Sequence, residues 1–196
     1  MNVIITGATG MIGGLVLKEC LSNPEISNIT CLVRKPTGIS NEKLIEVIVE
    51  DFMDYSSIEN HFQNQQIAYF CIGVYTGSVP RDAFRRITID YTTVFADTLK
   101  KQSPDATFCF LSGQGADSKE KSKVIFALDK GKAENYLIKS EFSKSSLELP
   151  SPDIPFKFNL SLPFVIPYKE SILALGSLEP ACFGYLKSIS YGFLEY

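Results

Sequence analysis

The chain has 196 residues, 45% of them hydrophobic and 21% charged, with a formal net charge of −3. That length and apolar share suit one folded domain with a sizeable core and exclude a disordered chain. Slight acidity argues against electrostatic capture of nucleic acid or an anionic membrane, no apolar run reaches the roughly 18 residues of a membrane span, and no basic leader precedes the first strand-like run, so a cytoplasmic protein is expected.

Val3-Ile4-Ile5 is apolar without alternation, as in a parallel strand buried on both faces. Gly7 to Gly13 follows as GATGMIG. Ile12, Val16 and Cys20, with Leu17 and Leu21 beside them, then recur at helical spacing and predict a helix over Met11–Leu21. Strand, glycine loop and helix in this order is the arrangement that grips a dinucleotide pyrophosphate. Gly7 permits the turn, Gly10 lets backbone approach the phosphates, and Gly13 lets helix and strand pack closely. Thr9, Met11 and Ile12 complete the loop, and the free N–H groups of the helix start face the anion.

A second strand is predicted at Ile29–Val33, ending in Arg34-Lys35-Pro36. Arg34 falls 21 residues after Gly13, where an acidic residue would favour NAD and a cation accommodates the 2′-phosphate of NADP. The alternative is a solvated basic pair at a strand end. The third strand, Ile45–Val49, leads into Glu50-Asp51-Phe52, where Asp51 and Phe52 are placed to flank an adenine ring. A helix over Tyr55–Phe62 carries His61, the only histidine; without clustered histidines and cysteines no metal site is expected.

The fourth strand, Ile67–Ile72, brings Cys71 and Gly73 to a strand end, where a glycine lets a ribose lie against backbone. Pro80–Lys101 reads as the best helix, with Phe84, Ile87, Tyr91, Val94, Phe95 and Leu99 in one stripe. The fifth strand is Thr107–Leu111. The polar stretch after it, Gly113–Lys123, is a mobile lid or a solvated loop. A helix over Val124–Lys139 and a second polar stretch, Ser140–Pro155, lead to a sixth strand at Phe156–Leu160. The cysteines, Cys20, Cys31, Cys71, Cys109 and Cys182, are scattered without a C-x-x-C pair and read as reduced thiols.

Alternating strands and helices imply an α/β fold: a Rossmann-type, doubly wound parallel sheet of six or seven strands in a single domain over 1–196. Within it 1–168 forms the dinucleotide-binding core. The short remainder, 169–196, contains the aromatic run Ile172–Tyr196, a capping helix pair, a substrate-side segment or a homodimer interface.

These residues resemble the short-chain dehydrogenase/reductase superfamily, as an atypical member similar to its small Tat-interacting-protein-type group. The resemblance covers about residues 1 to 168 and rests on Gly7, Gly10 and Gly13, on Asp51-Phe52, on Ser112 after the fifth strand, on Gly115-Ala116-Asp117, and on Lys130, Gly131 and Glu134. It implies an NAD(P) cofactor and a small-molecule substrate with a carbonyl or an activated double bond. Ser112 would orient that carbonyl and Lys130 would bond the nicotinamide ribose. The family's tyrosine, four residues before the lysine, is Phe126 here, which has no proton to give. Tyr75 is the substitute donor to consider, beside its plainer reading as a loop residue. Where the family has Arg-Pro-Gly, this chain has Leu162-Pro163-Phe164, leaving only Pro163 to shape the cofactor pocket. Two functions stay open: an oxidoreductase, or a protein that holds NADP(H) as a redox sensor without turnover.

Overall fold

The computed structural model describes residues 1–113, 115–140 and 142, and the backbone of 144–148. Six strands form one sheet: β1 (Asn2–Thr6), β2 (Asn28–Val33), β3 (Leu44–Ile48), β4 (Ile67–Phe70), β5 (Thr107–Leu111) and β6 (Lys144–Glu148). Their order is β3-β2-β1-β4-β5-β6 and every neighbouring pair is parallel. The chain runs outward from β1 to β3, then crosses back to place β4 on the other side of β1. The point of reversal lies between β1 and β4, and ligands bind at such a point outside the carboxyl ends of the strands.

The unalternating apolar strands have a simple physical origin. Val3 and Ile5 pack on one face with Val16, Leu17 and Cys20 of α1 (Met11–Ser22). Ile4 packs on the other with Phe70, Phe95 and Phe108. Both faces are covered by helices, so a polar residue at alternate positions would be buried without a partner.

The predicted 80–101 helix is one helical run in three pieces: α2 (Arg81–Arg85), a π turn (Arg86–Asp90) and α3 (Tyr91–Gln102). The wide turn changes which residues face inward. Phe84, Thr88, Thr92, Phe95 and Leu99 are buried, while Ile87, Tyr91 and Val94 are half-buried. Repeated spacings of four suit a π turn, which takes more residues than an α turn. Thr92 Oγ1 donates to the Thr88 carbonyl at 2.9 Å, which satisfies an inward hydroxyl that the apolar stripe did not anticipate.

The Ser140–Pro155 stretch is not all loop. β6 falls at Lys144–Glu148, inside the Ser140–Pro155 stretch read as loop. Among the described residues it pairs with β5, from Thr107↔Lys144 to Leu111↔Glu148. The expected strand at Phe156–Leu160, Pro163 and the Ile172–Tyr196 segment lie outside the described residues. The last helix, α4 (Ile125–Lys139), closes the described core.

Candidate functional site

The glycine loop is shaped by contacts that leave no room for side chains. Gly7 has φ +73°, a left-handed conformation, and a Cβ there would meet the Cys71 carbonyl carbon at 2.7 Å. A Cβ on Gly13 would lie 2.1 Å from the Gly7 oxygen. Strand β1, the end of β4 and helix α1 are therefore locked together at the reversal point, with the Cys71 N–H donating to the Thr6 carbonyl at 3.2 Å.

The Gly10 N–H donates to the Gly7 carbonyl at 2.9 Å, and the Gly14 N–H to Gly10 at 2.8 Å is the first bond of the helix. The N–H groups of Met11, Ile12 and Gly13 thus have no partner within α1, and no side chain caps it. Thr9, Gly10 and Met11 are exposed. An uncapped helix start entered through a glycine, Gly10, is a cradle whose donors fit a pyrophosphate.

Arg34 stands exposed just past β2, without an ion-pair partner among the described residues. Asp51, past β3, accepts the Met53 N–H at 2.9 Å and faces Arg86 at 3.6 Å. Phe52 is different: its ring is buried, 5.7 Å from Tyr91 and 6.3 Å from Tyr55 between centroids. Of that pair only Asp51 presents a side chain to solvent. Beyond β4, a Cβ on Gly73 would meet nothing within 4 Å, so the space beside it is open. Tyr75 is 79% exposed, and its hydroxyl bonds to neither Ser112 nor Lys130.

Ser112 and Lys130 are brought together, and with them Glu134, for which no role was expected. Both are buried, as is Glu134. Ser112 Oγ donates to Glu134 Oε1 in a short hydrogen bond. Lys130 Nζ donates to the Leu111 carbonyl at 2.8 Å and sits 4.3 Å from the centre of the Phe110 ring. Burial pulls the Lys130 ammonium down to about 8, against the pull of Glu134 and Cys71. Burial pushes the Glu134 carboxyl up, while the Ser112 bond and the Lys130 charge hold it back. Glu134 follows Lys130 by one helical turn, and that spacing was the available signal.

Phe126 lies one turn before Lys130, half-buried. Its ring occupies the space where a Gly113 side chain would go, 2.3 Å from an added Cβ. The same helix carries Asp129, fully buried and held by both terminal nitrogens of Arg81 at 2.5 and 2.9 Å. That pair ties the start of α2 to α4 and was not anticipated.

The 113–123 segment is a pinned loop. The Asp117 carboxylate accepts the N–H groups of Lys119, Lys121 and Ser122, which holds it below the usual carboxylate range. The Asp117 N–H donates to Ala127 at 2.9 Å, and Asn135 Nδ2 donates to the Ser118 carbonyl and to Glu120. A Cβ on Gly131 would lie 2.0 Å from the Asp117 oxygen. The Gly115-Ala116-Asp117 and Lys130-Gly131 features are thus two sides of one contact.

Fold and site together define an NAD(P)-binding protein, oxidoreductase-like, of the atypical short-chain dehydrogenase/reductase kind. A family model described as NAD(P)H-binding matches residues 7–148, and the chain belongs to that family. Protein HTATIP2 of Rattus norvegicus is 27% identical over 152 residues, 76% of this chain and 61% of that protein. Protein FMP52, mitochondrial, of Candida albicans is 26% identical over 153 residues, 76% and 66% of the two chains. The chain thus spans under two thirds of the length of these relatives. Among solved structures the fold is similar to UDP-glucose 4-epimerase of Thermotoga maritima, with a TM-score of 0.59 at 19% identity over 75% of this chain and 54% of that one. It is also similar to the Bordetella bronchiseptica enzyme WbmH in complex with NAD+, with a TM-score of 0.61 at 15% identity over 76% and 55%.

Proposed function

We propose that this chain binds NADP(H) in preference to NAD(H) and acts as an oxidoreductase on a small molecule with a carbonyl or an activated double bond. The observation that carries the reading is the uncapped start of α1, entered through Gly10 at the end of the glycine loop, with the buried Ser112–Lys130–Glu134 group beyond β5, at the same end of the sheet. The pyrophosphate would sit on the N–H groups of Met11, Ile12 and Gly13, Asp51 toward the adenosine, and Lys130 toward the nicotinamide ribose. A bound nicotinamide supplies or accepts a hydride. The chain's part is to orient the substrate oxygen through Ser112 and to move a proton.

The preference for NADP(H) rests on Arg34, which is exposed and free to take a 2′-phosphate. Buried thiols at Cys20 and Cys31, outside any disulfide, suit a reducing compartment such as the cytoplasm. A second reading, a protein that holds the cofactor without turnover, is favoured by Phe126 alone.

The test is an NADPH fluorescence titration of wild type and Gly10→Val. The valine side chain would stand over the helix start, so binding should be lost while the fold persists by circular dichroism; equal binding by both would remove the loop from the site. The same titration separates the two cofactors. A guanidinium–phosphate bond contributes roughly 1.5–3 kcal/mol, so Arg34→Ala should weaken NADPH about tenfold or more and leave NADH almost unchanged. Tighter binding of NADH by wild type would exclude the role given to Arg34.

A further inference from the structure

A serine hydroxyl has one proton, and at Ser112 that proton is committed to Glu134. Ser112 is 6% exposed and Glu134 7%, so solvent competes little for the bond between them. While Ser112 donates to Glu134, its oxygen has only lone pairs for a further ligand. A carbonyl oxygen needs a donor and finds none there. Protonation of Glu134 reverses the bond: the carboxyl O–H donates to Ser112 Oγ, and the serine proton is released toward the site.

We propose that Glu134 is a positioning residue that switches Ser112 between accepting from and donating to the substrate, and that the two residues together do the acid–base work for which position 126 offers no phenol. This rests on reading the site as that of an oxidoreductase. The proton movement balances in both directions. In carbonyl reduction, with a reduced nicotinamide dinucleotide as hydride source, the Ser112 O–H bond breaks as an O–H bond forms on the substrate oxygen. Ser112 Oγ takes the carboxyl proton of Glu134, which is left as carboxylate and regains a proton from solvent. In alcohol oxidation the substrate hydroxyl donates to Ser112 Oγ, the serine proton passes to Glu134, and the hydride leaves to an oxidised dinucleotide.

Among the described residues the charged and titratable surroundings are few. From α4 comes Lys130, whose ammonium favours the carboxylate; from the end of β4 comes the Cys71 thiol, which acts on Lys130; β5 contributes the uncharged Phe110 ring, and Ser112 follows it directly. Asp129 of the same helix is already paired with Arg81. Burial favours the protonated form of Glu134, while the Ser112 hydrogen bond and the Lys130 charge oppose it, so the switch is set by two neighbours that can be removed one at a time.

The first measurement needs no cofactor. Protein carrying glutamate isotopically labelled at the carboxyl carbon is titrated by NMR, with the Glu134 signal assigned by its loss in Glu134→Gln. The signal should titrate above the ordinary glutamate range and move further up in Ser112→Ala, which removes the hydrogen bond to the carboxylate. An ordinary midpoint, or one that Ser112→Ala leaves in place, overturns the coupling.

The second measurement follows NADPH oxidation by phenanthrenequinone as a test carbonyl, from about pH 5 to about pH 9. In wild type, kcat should fall as pH rises through the midpoint found by NMR. Glu134→Gln still donates to Ser112 but has no proton to pass, so kcat should drop about tenfold or more while KM stays within about twofold. Glu134→Asp should recover part of the loss. Equal kcat in wild type and Glu134→Gln overturns the acid–base role, and so does absence of turnover by wild type that binds NADPH. Absence of NADPH binding overturns the oxidoreductase reading itself, while the cofactor-free NMR titration still decides the Ser112–Glu134 coupling.

Discussion

At residue 126 the absence of one oxygen atom separates two functions. The Phe126 ring lies against the Gly113 backbone and one turn from Lys130. A phenol there would gain acidity from the neighbouring ammonium. Phe126→Tyr should therefore raise NADPH consumption with phenanthrenequinone, and adding Lys130→Met should erase the gain. The penalty of Glu134→Gln should also shrink in the Phe126→Tyr background, because a second proton path is then present. Unchanged turnover in Phe126→Tyr would mean that the ring is only a wall of the pocket. The resemblance of the sequence located Ser112, Phe126 and Lys130. It did not join Glu134 to Ser112 or Arg81 to Asp129, because contacts over 22 and 48 residues depend on how β5, α2 and α4 are set against one another.

Between elements, the decisive contact is the one between the 113–123 loop and α4. Its polar composition reads equally as a lid or a solvated loop, since composition does not say where an Asp side chain finds its donors. Three backbone N–H groups on the Asp117 carboxylate, together with the bare face of Gly131, fix this loop. Gly131→Ala would push a Cβ into the Asp117 carbonyl, which backbone cannot easily evade. We expect a loss of about 1–3 kcal/mol in urea unfolding, along with weaker NADPH binding as the loop shifts from Ser112. Wild-type stability in Gly131→Ala would show that loop and helix separate at no cost. The π turn at Arg86–Asp90 teaches the same lesson in a helix: an apolar stripe read at 3.6-residue spacing named Phe84, Phe95 and Leu99 correctly but put Ile87 and Tyr91 where Thr88 and Thr92 are buried.

Over the whole molecule, the face of the sheet covered by α1 fully buries two thiols, Cys20 and Cys31. Burial pushes Cys20 up to about 12, with Glu19 adding to it, and Cys31 up to about 12, with Glu46 and Cys20 adding to it. The folded protein therefore keeps protons that the unfolded chain gives up from about pH 9 onward. Stability contributed by these thiols is complete below their unfolded midpoint of about 9 and is lost as pH rises toward 12. Lys130 acts in the opposite sense between about 8 and its ordinary value, since the folded form binds fewer protons there. Two thiols outweigh one amine, so the urea midpoint should fall between about pH 9 and about pH 11. In Cys20→Ala/Cys31→Ala the fall should be smaller, whatever the starting stability. Parallel pH profiles for the two proteins would exclude the thiols as its cause.

Strands β1 to β5, α1, α4 and the glycine loop were determined by the sequence itself. Their signals are local: a run of apolar residues, a helical repeat, and glycines at close spacing. The resemblance added Ser112, Phe126 and Lys130 for the same reason, since each sits at a fixed offset from a strand end or a helix turn. The tertiary structure alone decided what no offset encodes. It placed the Phe52 ring in the core, paired β6 at Lys144–Glu148 with β5, and turned Thr88 and Thr92 inward through a wide turn. It also gave Ser112 a buried carboxylate as partner. Each of these outcomes depends on free energies of burial and of hydrogen-bond satisfaction, which are set only once distant segments share one environment.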